Sequence, residues 1–260
     1  GGDKLHMAYC FELLGTAHSA SYLHKVLSRL VEVVGGGWPS WALTNHDVPR
    51  LATRWGGANP PQGLLRLAAA MQMSLRGSPC LYQGDELGLP EADVAYEDLQ
   101  DPYGITMWPE FKGRDGCRTP MPWVSTDPKL GFSGGATAAK PWLPVSEAHR
   151  PLAVDVQEKQ SDSLLTFYRQ LLQWRKSQPV LLHGDIALLP ANEQVLAYVR
   201  EHEGKKVLCV FNISETAAEW ALSTGVIVRE VLQGSGLQGA EVKGATVHLA
   251  PWGGMFALID

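Results

Sequence analysis

The sequence has 260 residues, of which 45% are hydrophobic and 19% charged, enough apolar material for a sizeable folded core. Its net charge is −5 and its basic residues are scattered, so we expect no nucleic-acid partner. No apolar run approaches the ~20 residues that cross a bilayer, and the N-terminus lacks the layout of a signal peptide. We therefore expect no membrane partner.

The four cysteines lie far apart, without CxxC or zinc spacing: Cys10, Cys80, Cys117 and Cys209. A disulfide remains possible, but reduced thiols in a cytoplasm are the better interpretation. We expect a cytoplasmic protein with no metal and no cofactor.

The first two-thirds of the chain alternates short apolar runs with helical patterns. His6–Leu14, Ser40–Asn45 and Ser78–Gln83 are predicted buried strands, and their apolar runs favour parallel strands covered on both faces. Tyr22–Val34 carries a helical apolar stripe that ends at three glycines. A second helix is predicted after Asn59-Pro60-Pro61, with the asparagine as its cap.

A long segment rich in Gly, Pro, Asp and Trp, residues 84–160, follows the third strand, and loops of this length are usually functional. Residues 161–176 return to a helical pattern, which Pro179 ends. From about residue 181, short strands separated by turns predict a small antiparallel sandwich. We thus predict two domains, residues 1–180 and residues 181–260.

A polar cluster, Thr44-Asn45-His46-Asp47-Val48-Pro49-Arg50, closes the second strand. The carboxyl end of a parallel strand is where a (β/α)₈ barrel places its chemistry. From these residues alone, a capping Asn or Asp beside a core histidine explains the cluster equally well.

Three further motifs follow in order: LYQGDELG at residues 81–88, GRDGCRTPMPW at 113–123, and GF at 131–132 with PWLPV at 141–145. With the Asn-His-Asp motif, this series resembles the α-amylase family of glycoside hydrolases (family 13), in its α-glucosidase and oligo-1,6-glucosidase branch. The resemblance covers essentially the whole chain.

The resemblance implies that the three strands are strands 6–8 of a (β/α)₈ barrel, followed by the family's C-terminal β domain. Strands 1–5 are absent, and with them the aspartate nucleophile, the glutamate acid/base and the metal site that many members carry. Glu12, which falls in strand 6, is not a candidate for either carboxylate.

The resemblance also assigns site residues. It implies that Asp47 is the third catalytic carboxylate, a transition-state stabiliser on the 2- and 3-hydroxyls of the −1 glucose, and that His46 binds the same sugar. Arg118 would pair with an aspartate of the N-terminal half and recognise the terminal 4-hydroxyl, although a surface ion pair is the alternative. Arg50 either reaches the +1 subsite or is structural.

We therefore expect the parent enzyme to be a retaining, exo-acting α-glucosidase that hydrolyses small α-glucosides and can transfer glucosyl groups. A related isomerase or transglucosidase is one alternative, and a non-catalytic relative that serves as an interaction subunit is another. The 260-residue chain alone is predicted to be inactive, and either to be poorly soluble, to self-associate or to rely on a companion N-terminal chain that completes the barrel.

Overall fold

The computed structural model describes residues 5–134 and 139–260. Its helices are α1 Ala20–Val34, α2 Leu51–Gly56, α3 Gln62–Ser74, α4 Pro102–Thr106, α5 Val154–Gln157, α6 Leu164–Lys176 and α7 Pro179–His183. Its strands are β1 Ala8–Cys10, β2 Pro39–Ala42, β3 Ser78–Cys80, β4 Asp185–Leu188, β5 Val195–His202, β6 Lys205–Asn212, β7 Ala218–Ala221, β8 Val228–Val231, β9 Ala240–Lys243, β10 Thr246–Leu249 and β11 Gly254–Ile259. None of these helices is long and apolar enough to cross a membrane.

The predicted parallel sheet is present, with the order β1-β2-β3 and both pairs parallel. Helix α1 connects β1 to β2, and α3 connects β2 to β3. Ser19 caps α1 by accepting a hydrogen bond from the backbone N–H of Tyr22, and Gly35 ends the helix with φ 51°. The predicted end of α1 at the glycines is confirmed, whereas its start two residues before Tyr22 and its serine cap were not predicted.

The structure corrects three details of this region. The first strand ends at Cys10, because the chain then turns through a 3₁₀ helix, Glu12–Leu14. The cap of α3 is Pro61, whose extended backbone places the first helical residue at Gln62, so Asn59 lies outside the helix. Helix α2 was not predicted, since its six residues are too few to display a helical period.

The C-terminal strands form two antiparallel sheets, β4-β5-β6-β11-β8 and β7-β10-β9. Strands β4 and β9 are edge strands of four residues each, and both are only partly buried. The apolar faces of the two sheets share one core, which includes Val195, Leu208, Trp220, Val247 and Met255. This is the predicted sandwich.

The described residues group into two compact units. The first comprises residues 1–42, 61–80 and 168–260 and holds all three sheets. The second comprises residues 43–60 and 81–167, the segments that follow β2 and β3 in the chain. The division into domains at residue 180, which is drawn by chain order, stays a prediction.

The second unit contains the long predicted loop. Between residues 84 and 160 the described part of the chain forms only short helices and 3₁₀ turns, and residues 135–138 lie outside it. Two small apolar clusters give it a core, Leu87 with Leu89, Met121 and Leu165, and Val94 with Leu99 and Leu143.

Candidate active site

The loop after β2 is held by its own short polar side chains. The Oδ1 atom of Asn45 accepts the backbone N–H of Asp47 at 2.8 Å, and the hydroxyl of Thr44 accepts that of Leu51 at 3.3 Å. These bonds turn the next side chains outward, so that His46 and Asp47 have 66% and 44% of their side-chain surface exposed. The two residues are presented to solvent on a fixed loop.

The carboxylate of Asp47 has two different sides. Its Oδ1 atom lies 3.0 Å from Nη1 of Arg114 and 3.4 Å from Nη2 of Arg118. Its Oδ2 atom lies 3.4 Å from Nε2 of His46. Since two guanidinium groups meet one oxygen, the other oxygen is the one left to accept hydrogen bonds from a ligand.

Arg118 is placed by a 3₁₀ turn, Asp115–Arg118. Its Nε atom donates to the backbone carbonyl of His46 at 2.8 Å, which ties the turn to the loop after β2. The structure thus brings together three of the four predicted site residues: His46, Asp47 and Arg118.

Arg50, the fourth, lies elsewhere. Its side chain is 1% exposed, its Nη1 atom donates to the carbonyl of Gln83 at 2.7 Å, and its guanidinium lies 5.5 Å from the ring centroid of Tyr82. Its backbone N–H donates to Glu91 at 2.8 Å. Of the two roles considered for Arg50, these internal contacts favour the structural one, because a fully buried guanidinium cannot meet a sugar.

Arg114 was not singled out from the sequence, yet among the described residues it makes the shortest contact with the carboxylate of Asp47. Its Nε and Nη2 atoms form a two-point ion pair with Asp101, at 2.8 and 3.0 Å. The hydrogen bonds of this pair hold the pKa of Asp101 well below its usual range and raise that of Arg114. The sequence signal that could have found Arg114 is its place four residues before Arg118, on the same turn.

A buried carboxyl lies behind the loop. Burial raises the pKa of Asp85 to about 6, against the opposing hydrogen bonds from the Thr44 hydroxyl and the backbone N–H of Tyr82. Tyr82 in turn donates its hydroxyl hydrogen to the carbonyl of Cys117 at 3.1 Å. These contacts join the segment after β2 to the segment after β3 and to the turn that carries Arg118.

The described part of the chain contains no group of three His, Cys, Asp or Glu side chains that could hold a metal ion. What the site offers instead is an exposed carboxylate fixed by two cations, with an imidazole beside its other oxygen. Such a group can accept hydrogen bonds from neighbouring hydroxyls and stabilise positive charge that develops next to them.

Comparison with known proteins identifies the relatives of this chain. The model of the α-amylase catalytic domain matches residues 7–184, and that of the maltogenic amylase C-terminal domain matches residues 186–255. A probable α-glucosidase of Rhizobium meliloti is 44% identical over 99% of this chain and 46% of its own length. An oligo-1,6-glucosidase of Heyndrickxia coagulans is 32% identical over 76% of this chain and 39% of its own length.

Solved structures give the same result. The α-glucosyl transfer enzyme XgtA superposes with a TM-score of 0.91 at 49% identity, over 98% of this chain and 46% of that one. The trehalulose synthase MutB from Pseudomonas mesoacidophila, at 24% identity and a TM-score of 0.83, shows the shared fold. The chain spans about half the length of the relatives it matches.

The parallel sheet is therefore the C-terminal part of a (β/α)₈ barrel, followed by an antiparallel β domain. By its two family matches and the relatives that cover its length, this chain belongs to the α-amylase family of glycoside hydrolases, among relatives named α-glucosidases and oligo-1,6-glucosidases.

Proposed function

We propose that this chain supplies the strand-7 and strand-8 side of the active site of a retaining, exo-acting α-glucosidase. The nucleophile and the acid/base would come from an N-terminal half that carries strands 1–5. We call this chain together with such a half, in one polypeptide or two, the assembled enzyme.

One observation carries the proposal: Asp47 is exposed on a loop held by internal hydrogen bonds, with one carboxylate oxygen contacted by two arginines and the other beside His46. A retaining glycosidase passes through an oxocarbenium-like transition state, in which hydrogen bonds to the sugar hydroxyls tighten. A preorganised acceptor for the 2- and 3-hydroxyls of the −1 glucose meets this requirement. His46 would bind the same sugar.

Arg118 is proposed to recognise the terminal 4-hydroxyl. Its Nε and Nη2 atoms are engaged with His46 and Asp47, while its Nη1 atom makes no hydrogen bond to the described part of the chain. That nitrogen is suited to an aspartate of the N-terminal half or to a sugar oxygen, since the guanidinium fork can serve several acceptors at once. Closing the pocket at the terminal sugar would make the enzyme exo-acting.

The proposal is tested by Asp47→Asn in the assembled enzyme, with 4-nitrophenyl α-glucoside as substrate. Because the contact acts mainly in the transition state, kcat and kcat/KM should fall together, by about a thousandfold or more. The matched control is Asp93→Asn, which removes an exposed carboxylate of the same unit whose ion pair is with Lys112. Wild-type turnover in Asp47→Asn would refute the assignment of Asp47.

Glucosyl transfer is a second candidate activity, supported by the similarity to XgtA, whose name states α-glucosyl transfer. Chromatography of the products that the assembled enzyme forms from a concentrated α-glucoside distinguishes the two. Transfer yields longer or isomeric glucosides in addition to glucose, whereas hydrolysis yields glucose alone. A non-catalytic interaction subunit is disfavoured, because a binding-only scaffold has no need for the joint arrangement of Asp47, His46 and Arg118.

We further propose that the protein works in the cytoplasm on small α-glucosides, with neither nucleic acid nor membrane as a partner. All four cysteines are free thiols, which a reducing compartment maintains. Cell fractionation followed by immunoblotting would report the compartment.

A further inference from the structure

We propose that Arg114 is a positioning residue of this active site, and that the buried Asp101 orients Arg114 so that it fixes Asp47. The inference rests on the proposed function, because it concerns how the carboxylate of Asp47 is held for its contact with sugar hydroxyls. It adds a residue pair that acts through Asp47 and needs no contact with the sugar.

The orientation of the Arg114 guanidinium is fixed by Asp101, independently of Asp47. Two of its nitrogens form the two-point pair with Asp101, whose side chain is fully buried. A planar guanidinium held at two points has little freedom left, so its third nitrogen, Nη1, has a defined direction. That nitrogen donates to Oδ1 of Asp47 at 3.0 Å.

Asp101 is itself fixed by the backbone around it. The fully buried Asp115 accepts the backbone N–H groups of Gln100 and Asp101, at 2.6 and 2.8 Å, through one carboxylate oxygen. Asp101 accepts the backbone N–H of Arg114 at 2.8 Å, which closes the arrangement. The support of Arg114 therefore runs through buried, charge-assisted hydrogen bonds rather than through exposed side chains.

Two glycines permit this close approach. Gly113 has φ +76°, and a Cβ atom there would come within 2.9 Å of the backbone of Gly104. A Cβ atom on Gly104 would come within 2.5 Å of the carbonyl oxygen of Lys112. The backbone contact between the two glycines brings Arg114 next to Asp101.

Arg118 does not replace Arg114 in this role. Its contact with Asp47 is longer, 3.4 Å against 3.0 Å, and its Nε atom is committed to the carbonyl of His46. An arginine that only anchored its loop would be satisfied by Asp101 alone. The third contact of Arg114, from Nη1 to Asp47, connects the Arg114–Asp101 pair to the site.

The experiment compares two substrates, 4-nitrophenyl α-glucoside and its 2-deoxy analogue, in the assembled enzyme. The readout is the kcat/KM value for the glucoside divided by that for the 2-deoxy analogue. The concentration of correctly folded enzyme cancels in this ratio. If Asp47 grips the 2-hydroxyl and Arg114 fixes Asp47, Arg114→Lys should lower kcat/KM for the glucoside by about 100-fold, the penalty of a small misplacement. For the 2-deoxy analogue kcat/KM should fall by less than about 10-fold, so the ratio of glucoside to 2-deoxy analogue decreases.

Four further variants complete the panel. Asp101→Asn should lower the ratio in the same direction, and the double variant Asp101→Asn/Arg114→Lys should fall no further than Arg114→Lys, because both act along one path. The matched control is Arg150→Lys, which disrupts a two-point pair with Glu147 in the same unit, at 2.7 and 2.7 Å, without contact to Asp47. Its ratio should stay at the wild-type value. Asp47→Asn is measured alongside.

An unchanged ratio in Arg114→Lys, with a lowered ratio in Asp47→Asn, overturns the inference and leaves the proposed function intact. An unchanged ratio in Asp47→Asn overturns both. A uniform loss on both substrates in Arg114→Lys, even with a lowered melting temperature, also overturns the inference, since it assigns Arg114 a purely structural role.

Discussion

His149 is fully buried in the second unit, and its two ring nitrogens have unequal surroundings. The Nε2 atom lies 2.8 Å from the carbonyl oxygen of Pro90 and must carry the hydrogen, whereas Nδ1 has no partner in the described part of the chain. A second proton on Nδ1 would be buried without an acceptor. Burial accordingly lowers the pKa of His149 to about 4, and the nearby Arg50 contributes in the same direction.

This shift predicts a specific loss of stability in acid. Because the folded pKa lies below that of the unfolded chain, the stabilising contribution of neutral His149 is fully present above pH ~6.5 and is lost as the pH falls towards 4. Between pH 7.5 and 5 the loss amounts to roughly 2 kcal/mol. His149→Gln keeps a donor for Pro90 and cannot titrate, so the difference between its urea midpoints at the two pH values should be smaller than that of the wild type.

The exposed His183 provides the control, and His183→Gln should keep the wild-type pH dependence. An identical loss of stability in His149→Gln and wild type would show that other groups cause the acid sensitivity.

At the same scale, the sequence predicted the residues that a family motif marks and missed those that tertiary structure recruits. His46, Asp47 and Arg118 carry motif signals, and they lie together. Arg114 has no such signal, because its contact with Asp47 depends on a backbone approach between two glycines in a segment without periodicity. For Arg50 the sequence left two roles open, and its burial and its contact with Gln83 favour the structural one.

Among the elements, β5 makes an unusual connection through Arg200. This arginine is completely buried, and its four hydrogen bonds go to main-chain carbonyl oxygens: those of Ser74, Leu181, Gly184 and Asp185. The first lies at the end of α3, and the next two lie in and just after α7, where carbonyls lack helical partners. Burial lowers the pKa of Arg200, although the guanidinium stays charged. One side chain thus caps two helices.

Replacing Arg200 by Met should therefore destabilise the protein by several kcal/mol, since a similar volume is kept while buried carbonyls lose their donor at about 1–3 kcal/mol each. Chemical unfolding of the assembled enzyme measures the difference. The control, Arg229→Met, removes an exposed arginine that pairs with Asp260, and it should change stability by less than about 1 kcal/mol. Equal effects of the two substitutions would contradict the capping role.

The bounds of a helix or strand could be predicted where the local sequence pattern determines them. Helix α1 has both a capping serine and a terminal glycine, and its bounds were close to those observed. The barrel strands were predicted too long, because apolar runs continue past the last residue that pairs. Pairing depends on neighbouring strands, which a single segment does not encode.

On the scale of the whole molecule, the parallel sheet has two edge strands, β1 and β3. Apolar side chains near β1 are exposed, with Leu5 74%, Phe11 63% and Met7 51% accessible. Exposed apolar surface beside an unpaired strand edge is typical of a surface that is covered in the assembled protein. This agrees with the proposal that five further strands complete the barrel.

We accordingly expect the 260-residue chain alone to hydrolyse no α-glucoside, because Asp47 can neither attack the anomeric carbon nor protonate the leaving group without the two missing carboxylates. Co-expression with an N-terminal half that carries strands 1–5 should restore turnover, and the two should co-elute in size-exclusion chromatography. Hydrolysis by the purified chain, with mass spectrometry showing no companion, would contradict this expectation.

The bonds made by Arg200 also bear on how such enzymes can be recombined. The two family matches meet at residues 184–186, which makes that junction an inviting crossover for chimaeras with a relative's β domain. In such a chimaera Arg200 and Tyr198 would come from one parent and Ser74 from the other. In this chain Arg200 donates to the carbonyl of Ser74, and the hydroxyls of Tyr198 and Ser74 lie 2.7 Å apart. A chimaera therefore keeps this connection only if the new β domain carries an arginine and a tyrosine at these two positions of β5, so β5 and the end of α3 have to be chosen together although they are far apart in sequence.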